Sequence, residues 1–356
     1  MKRNKILTVI LGIAIFSGVL CSGAVIVQGI QAGKNLPRHT TSSQKEQIAI
    51  PQAWELEKTK LEEFSEASIS IDCCDFSILP ADGYYLEYRL DGACTEPQYN
   101  SSDGIFYFEE GKTQLRYSTG LHLFFNTGNS SANRGPYYIN LYVPKDQYFN
   151  LLKIKNESGN INLEDVDAEI AELNADYGTL TLRSFTGKNI SIFAESGNLE
   201  IGDVTCDNLE ITNEYGDICG GSFKISDQAA IKLESGSLEL SSLETDFLSL
   251  RNEYGNCSMD QASITDSEIF IESGNLVFQD AELKTTNIDS SYGDVTLHLA
   301  DDISDYNYDL YAEYGSIKLR NETLKFDEDE EIHYQKDNQK NKEIRISCES
   351  GNIKIR

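Results

Sequence analysis

A glycine returns at a nearly constant interval through the second half of this 356-residue chain. Counted in positions along the chain, the successive intervals are 19, 19, 19, 20, 19, 19, 19, 22 and 36. Self-similarity at a fixed period is the signature of stacked units that bury their apolar faces only against one another. These marker glycines are Gly159, Gly178, Gly197, Gly216, Gly236, Gly255, Gly274, Gly293, Gly315 and Gly351.

Aliphatic residues keep fixed distances from the marker glycines. They fall five and three residues before a glycine, as at Ile269 and Ile271, and two and four residues after one, as at Leu199 and Ile201. A period of two on each side predicts two short strands that send alternate side chains inward, with a third apolar position seven residues after the glycine. We expect the glycine in the bend between them, where a positive φ costs it nothing and a Cβ would clash.

The constant period predicts an all-β fold, a β-solenoid (β-helix-like) of roughly 19-residue coils, preceded by an N-terminal transmembrane helix. An antiparallel meander is the alternative, because a two-residue turn at Ser-Gly would also place the flanking aliphatics on one face. The leucine-rich repeat is excluded, because its spacing of leucines is missing.

Serine and tyrosine alternate immediately before the marker glycines, and the order breaks at Tyr314. Two explanations stay open. A serine between tyrosines relieves crowding between coils roughly 4.8 Å apart, or the true coil holds about 38 residues and stacks tyrosine on tyrosine. The tyrosines form a candidate interaction edge, although aromatic residues also simply stabilise exposed β surface. The alternating residues are Ser158, Tyr177, Ser196, Tyr215, Ser235, Tyr254, Ser273 and Tyr292, followed by Tyr314.

Residues 1–33 predict a membrane anchor. Lys2, Arg3 and Lys5 precede an uncharged run over 6–33, which exceeds the roughly 20 residues that cross a bilayer. The basic cluster predicts a single-pass protein of the cell membrane, with a cytoplasmic N-terminus and an extracellular C-terminal domain. A cleaved signal peptide is the competing interpretation, because small residues occupy 22–24.

Further boundaries follow from changes of composition. Residues 34–53 are predicted to be a linker, and residues 54–150 an N-terminal β region with one short helix over 54–64. Residues 151–356 hold the solenoid repeats, with a charged insertion over 321–342. The last coil has no obvious cap, and we expect Lys354 and Arg356 to discourage end-to-end pairing there.

The charge balance limits the partners. The chain has 30 Lys and Arg against 58 Asp and Glu, a net charge of −28, and without the five basic residues up to Arg38 the remainder carries 25 against 58, or −33. Such a charge repels phosphate backbones, so we expect no nucleic acid partner. The predicted partners are the membrane, through the N-terminal helix, and an unknown protein or glycan at the surface.

No catalytic, cofactor-binding or metal-binding residue is predicted. The sequence holds none of the familiar hydrolase, zinc-protease or nucleotide-binding strings. The four histidines are scattered over linker, strands and loop with no glutamate or cysteine at ligand spacing: His39, His122, His298 and His333.

The eight cysteines contain no C-x-x-C pair. Cys73 and Cys74 are adjacent in a strand and should point to opposite faces. Cys257 and Cys348 occupy inward positions of the repeat, and Cys219 an outward one. We expect no structural disulfide.

Several segments together resemble a known family. These are "ASISIDCCDFSILPADGYYLEYRL", "YYINLYVPKDQYFNLLKIKNESGNINLEDV" and the repeated S-G-[ND] units that follow the anchor. Their order is similar to that of the candidate-adhesin family (DUF4097-like) of bacterial cell-envelope proteins, over roughly residues 64–320 and the last unit. The resemblance implies an adhesin-like role and no catalytic residues. Some relatives are associated with envelope stress responses.

Three functions are therefore considered. The first is a membrane-anchored extracellular β-solenoid interaction protein, adhesin-like and non-enzymatic. The second is a cell-envelope stress scaffold or sensor that acts on the cell's own membrane machinery. The third, a polysaccharide-cleaving β-helix enzyme, is disfavoured, because Asp165, Asp203 and Asp280 lie near equivalent positions without a recurring basic partner.

Overall fold

The computed structural model describes residues 52–112, 136–320 and 331–356, together with the backbone of 322–324. These residues belong to one compact unit, Pro51–Arg356, and their strands join a single 22-stranded sheet. A short 3-10 helix spans Ile303–Asp305. The strands of the regular coils are β8 (Tyr148–Ser158), β9 (Ile161–Tyr177), β10 (Leu180–Ser196), β11 (Leu199–Tyr215), β12 (Ile218–Ser235), β13 (Leu238–Tyr254), β14 (Cys257–Ser273) and β15 (Leu276–Tyr292).

Shorter strands lie on either side of the regular coils in the sequence. Those before them are β1 (Trp54–Lys60), β2 (Phe64–Ile71), β3 (Asp75–Ala81), β4 (Tyr85–Leu90), β5 (Gln98–Ser102), β6 (Gly104–Glu109) and β7 (Tyr138–Pro144). Those after them are β16 (Val295–Leu299), β17 (Tyr306–Tyr314), β18 (Ile317–Leu319), β19 (Glu322–Leu324), β20 (Ile332–Lys336), β21 (Lys342–Ser350) and β22 (Ile353–Ile355).

Each regular coil is one long strand that bends twice. In β11 the buried residues alternate with outward ones, and the alternation is interrupted at Gly202–Asp203 and again at Asp207–Asn208. Because successive side chains of a strand point to opposite faces, each pair of outward neighbours marks a corner. A third corner lies at the marker glycine. The coil therefore has three faces, and the two short strands expected from the sequence are parts of one strand. Its inward residues are Leu199, Ile201, Val204, Cys206, Leu209, Ile211 and Asn213.

Successive coils pair in parallel with a shift of one repeat. β10 pairs with β9 on one side and with β11 on the other, with Leu180 between Ile161 and Leu199. Each coil therefore corresponds to a single repeat, and neither the coil of two repeats nor the antiparallel meander is correct for these strands. The interval of 20 residues, from Gly216 to Gly236, contains one extra residue. This residue lies at a corner of the coil, because the register between β12 and β13 shifts between Ile225 and Gln228.

The marker glycines let the backbones of neighbouring coils approach closely. A Cβ on Gly255 would lie 2.0 Å from the carbonyl oxygen of Gly236, and φ at Gly255 is +137°. Both the approach and the positive φ exclude an ordinary side chain. Nine of the ten marker glycines have a positive φ in the range that disfavours side chains, and Gly315 does not, although a Cβ on Gly315 would lie 1.8 Å from the oxygen of Gly351.

A ladder of Asn and Asp side chains runs beside the glycines. Asn198 Oδ1 accepts a hydrogen bond from the backbone N–H of Asp217 in the next coil, and Asp217 Oδ1 accepts one from Ser237, at 3.1 and 2.8 Å. Asn256 and Asn275 repeat this contact at 2.9 Å each. The side chain thus satisfies a corner N–H of the next coil, which gives a physical reason for the Asn or Asp that follows so many marker glycines.

At the N-terminal end of the solenoid, the order of the strands in space differs from their order in the sequence. β2 and β3 pair in parallel with β8 and β9, and they are themselves paired with β6 and β7, which come later in the sequence. Antiparallel strands cover this outer layer: β5 pairs with β6, β4 with β7, and β1 with β4. The edges of the parallel coils are therefore covered by hairpin-like strands.

The other end follows the same principle, and it corrects the expectation of an uncapped last coil. β21 lies between β15 and β17, and β22 lies between β16 and β18. The last coil of the sequence thus fills an interior position, with Lys354 paired to Asp294 of the neighbouring coil. β19 and β20, from the insertion predicted over 321–342, pair antiparallel with β18 and β17 and cover the outer edge.

Two further expectations concern helices. Residues 54–60 form strand β1, not part of a helix, because Trp54 and Leu56 pair across to β4 and alternate with charged, outward residues. Among the described residues no helix is long and apolar enough to span a membrane. The predicted anchor, over 6–33, lies outside the described residues, as does most of the linker.

Substituting a marker glycine tests the corner geometry. We expect Gly255→Ala to lower the free energy of unfolding by at least about 2 kcal/mol, because alanine would adopt a strained φ and collide with the Gly236 carbonyl. Chemical denaturation measures this loss. Gly83→Ala is the control, because a Cβ there meets nothing closer than 3.5 Å. Equal stability of the two variants would contradict the assigned corner.

Removing residues 342–356 tests the interior position of the last coil. We expect this deletion to abolish amide protection in β17 and β18, which lose the strands that join them to β15 and β16, while β11 to β13 stay protected. Hydrogen exchange with mass spectrometry resolves these segments. The double variant R345A/S347A, altered only at outward positions of β21, should keep full protection. Retained protection of β17 in the deletion variant would refute the topology.

Candidate interaction edge

The corner at the marker glycines carries a continuous row of alternating serine and tyrosine. In register, Tyr177 lies between Ser158 and Ser196, and Tyr215 lies between Ser196 and Ser235. The same order continues through Tyr254, Ser273 and Tyr292. We call this the tyrosine–serine row.

The break in the sequence order at Tyr314 disappears in space. Ser350 of β21 pairs with Tyr292 on one side and with Tyr314 on the other. The interior position of the last coil therefore restores the alternation. Sequence reasoning missed this placement, although the repeated string "ESG" at 349–351 marks the last unit as a serine coil.

The five tyrosines are among the most exposed large side chains of the described residues, with exposed fractions from 53% to 69%. Because tyrosine occupies every second coil, neighbouring rings are anchored about 10 Å apart. The hydroxyl of Tyr177 donates to Glu195 Oε1 at 3.0 Å, so this side chain reaches across to the adjacent serine coil. A tyrosine in place of Ser196 would crowd this path, which supports the steric explanation of the alternation.

A second row runs beside the first, one residue earlier in each coil. It is acidic in every coil of the corner except at Ser291, and its members lie about 4.8 Å from one coil to the next. We call it the acid row, and the two rows together the corner edge. The acid row consists of Asp72, Glu157, Asp176, Glu195, Glu214, Glu234, Glu253, Glu272, Glu349 and Glu313.

The surroundings of the acid row raise the pKa of two of its members, Asp176 and Asp72. Partial burial raises the pKa of Asp176, Lys155 opposes this rise, and the neighbouring Glu157 and Glu195 carboxylates add to it. Burial and Glu157 likewise raise the pKa of Asp72. The hydrogen bond to Glu195 raises the pKa of the Tyr177 phenol, because it stabilises the protonated hydroxyl.

Basic side chains neutralise part of the acid row only. Each lies two residues before its acidic partner on the same strand, at Lys155–Glu157, Lys232–Glu234 and Arg251–Glu253, with N–O distances of 2.9, 3.1 and 3.6 Å. Among the described residues, no salt bridge reaches Asp176, Glu195 or Glu214. Three of the ten members are therefore paired with a basic side chain, and the other seven have no salt bridge within the described residues.

The remaining sequence candidates do not converge on a site. Asp165 is paired with Arg183 and lies two coils from Asp203, which lies four coils, or roughly 19 Å, from Asp280. No group of three His, Cys, Asp or Glu side chains in the described ranges is placed to hold a metal ion. His333 contacts Asp309 on the exposed end strand, with Nε2 and Oδ1 2.6 Å apart, while His39 and His122 lie outside the described residues.

Cys219, Cys257 and Cys348 take the orientations expected from the sequence. Cys73 and Cys74 do not lie in a strand: they occupy the bend between β2 and β3, and their thiols contact the same carboxylate instead of pointing to opposite faces. Cys74, Cys257 and Cys348 are buried, whereas Cys73 and Cys219 are exposed. Cys73 and Cys74 occupy the corner positions that Ser158 and Gly159 hold in the next coil, and both thiols donate to the buried Glu110 carboxylate at 3.8 and 3.7 Å. Burial, reinforced by Glu110, raises the pKa of the Cys73 thiol to about 11.

A titration tests the contact between the two rows. We expect Glu195→Gln to lower the pKa of Tyr177 toward its ordinary value, because a neutral amide holds the phenolic proton less strongly than a carboxylate. The ¹³C shift of the labelled tyrosine, followed from pH 8 to 12, measures it. Glu272→Gln, four coils away in the same row, is the control and should leave the Tyr177 pKa unchanged. An unchanged pKa in both variants would argue against the contact.

Comparison with solved structures gives three examples at low identity. A candidate lipid-binding protein of Parabacteroides distasonis is 16% identical, with 68% of this chain and 95% of that chain covered and a TM-score of 0.40. A candidate adhesin of Bacteroides fragilis is 13% identical, with 67% of this chain and 97% of that chain covered and a TM-score of 0.28. A candidate cell adhesion protein of Clostridium sporogenes is 12% identical, with 85% of this chain and 99% of that chain covered and a TM-score of 0.20.

The comparison with curated proteins finds no match. The family described as Toastrack DUF4097 matches residues 106–229 and 205–356. These two overlapping matches together span residues 106–356, well over half of the chain. The chain therefore belongs to the Toastrack DUF4097 family.

Proposed function

We propose that this protein is an adhesin-like, non-enzymatic interaction protein, held at the cell surface by its N-terminal segment, and that the corner edge is its contact surface. The observation that carries the proposal is the row of five tyrosines, each more than half exposed, at a regular spacing on one corner. Interface residues that dominate binding are enriched in tyrosine, because its ring offers a large apolar area with one polar end.

The scaffold supports this use of the tyrosines. Each tyrosine is the last residue of a strand, and these strands pair with a neighbour on both sides, as β11 does with β10 and β12. A rigid sheet holds the rings in place before a partner arrives, so little backbone freedom is lost on binding. The repeated coils extend the surface in one direction, which suits an elongated partner.

The cell-surface location rests on residues 1–33. Their basic start and long uncharged run favour a membrane anchor with the remainder outside the cell. The net charge of −33 after Arg38 suits a soluble exterior domain that neither binds nucleic acid nor adheres to anionic lipid.

Replacing tyrosines by serines tests the proposed surface with little risk to the fold, because serine is the native residue of every second coil. We expect cells that display the full-length chain with Tyr177, Tyr215, Tyr254 and Tyr292 changed to Ser to lose at least about tenfold in attachment to neighbouring cells or host matrix. The control changes the exposed Tyr107 and Tyr148 to Ser, outside the corner edge.

Photocrosslinking from position 215 in living cells identifies what the corner edge touches. Capture of host or neighbouring-cell material, lost when Tyr177, Tyr254 and Tyr292 are also changed to Ser, would support adhesion. Capture of the cell's own envelope proteins would favour the stress scaffold or sensor instead. Unchanged attachment of the quadruple variant would remove the corner edge as the contact surface.

A further inference from the structure

The tyrosines of the corner edge repeat at a fixed interval. They occupy every second coil from Tyr177 to Tyr314, so neighbouring tyrosines are anchored about 9.6 Å apart and the whole series spans about 38 Å. Each of the five is more than half exposed. A partner that contacts the whole series must therefore present an apolar group to it at nearly the same interval.

The ring of Tyr177 lies along the direction in which the coils stack. Its backbone ends β9, whereas its hydroxyl donates to Glu195 Oε1 in the next coil, at 3.0 Å. The ring therefore passes over Ser196, which pairs with Tyr177 in the register of β9 and β10. Because the side chain is still 53% exposed, it offers a flat apolar surface to a chain that runs along the corner edge.

The interval excludes one extended form of a polypeptide and fits another. A β-strand presents the same face at every second residue, or about 6.8 Å, so its side chains would fall out of step with the tyrosines after one interval. A polyproline II helix rises about 3.1 Å per residue with three residues per turn, so every third residue returns to the same face after about 9.3 Å. Over the whole series of tyrosines the accumulated difference is only about 1 Å.

We propose that the corner edge binds a proline-rich polypeptide segment in the polyproline II conformation, with a proline at every third residue packed on a tyrosine ring. The proposal rests on the proposed function, since it names the partner that the corner edge contacts. The segment would run in the direction in which the coils stack, and its other residues would lie over the serine coils.

Proline suits the tyrosines and the acid row together. Its ring is apolar and uncharged and its φ is already fixed, so packing it on an aromatic ring costs little conformational entropy. A polyproline II helix has no internal hydrogen bonds, so the N–H groups of its other residues need acceptors outside the segment. The acid row lies beside the tyrosines, and the seven members without a salt bridge in the described residues offer carboxylate oxygens that accept such bonds.

Two peptides of equal composition test the inference. The purified full-length chain is titrated with a fluorescent peptide of five Pro-Gln-Ala triplets, followed by fluorescence anisotropy. The control peptide has the same residues, with its prolines alternately two and four positions apart, so that they no longer share one face. We expect the control peptide to bind at least about fivefold more weakly, because fewer of its prolines can meet a tyrosine. Neither peptide has a charged side chain, so bulk attraction to an acidic protein cannot separate them.

A pair of variants tests the same interval in the protein. Y254S/S273Y keeps five tyrosines on the corner edge but moves one of them by a single coil, to a position where the native coils on both sides hold tyrosine. We expect this variant to bind the triplet peptide at least about fivefold more weakly than the native chain. The control Y107S/Y148S removes two exposed tyrosines outside the corner edge and should change the affinity less than about twofold.

Each contrary result overturns the inference in a distinguishable way. Equal affinity for the two peptides would show contact with prolines in general and no fixed interval. Unchanged affinity of Y254S/S273Y would show that the spacing of the tyrosines is not used. Absence of peptide binding, while the variant with four tyrosines changed to serine still loses cell attachment, would reject a proline-rich partner and leave the proposed function intact. Binding of cellohexaose without binding of the peptide would identify a polysaccharide as the partner instead.

Discussion

The close approach of one glycine backbone to the next is the constraint on which this structure depends. At each marker glycine the carbonyl oxygen of the preceding coil lies where a Cβ would be, and the strands on both sides of the corner remain hydrogen-bonded to the neighbouring coil. The corner therefore continues the sheet around a bend that other residues could not make. The regular rise of the coils, the in-register core and the straight rows of corner side chains all follow from it.

Open ends are the weakness of a stack of parallel strands, because unpaired edges invite further strands. Here both ends solve the problem in the same way. At one end β2 lies between β6 and β8, and at the other β21 lies between β15 and β17, so the order of the coils in space differs from their order in the sequence. Antiparallel strands then cover the outermost coil at each end. The alternating serine and tyrosine depend on this arrangement, since Ser350 separates Tyr292 from Tyr314 only because its coil lies between theirs.

The glycine period and the inward aliphatics predicted the coil, and the tyrosines of the corner edge were identified from the same pattern. The third face was missed because only one of its two inward positions, seven residues after the glycine, is regularly apolar, while the other holds a small or polar residue in several coils, such as Ala168, Cys206 and Thr245. The order of the coils at the ends depends on pairings between distant segments, for which no local pattern exists. The helix expected over 54–64 failed because charged residues between Trp54 and Leu61 mimic an amphipathic helix, while the pairing with β4 decides the conformation.

The strict alternation along the corner has an evolutionary consequence. Duplication of a single coil within the stack would place tyrosine beside tyrosine or serine beside serine at one junction, and would break the spacing of the rings. Duplication of two adjacent coils would leave both rows undisturbed, and the interlocked ends would be unaffected. A protein of this design is therefore expected to lengthen or shorten in steps of about 38 residues, so that selection acts on pairs of coils although the fold is built from single ones.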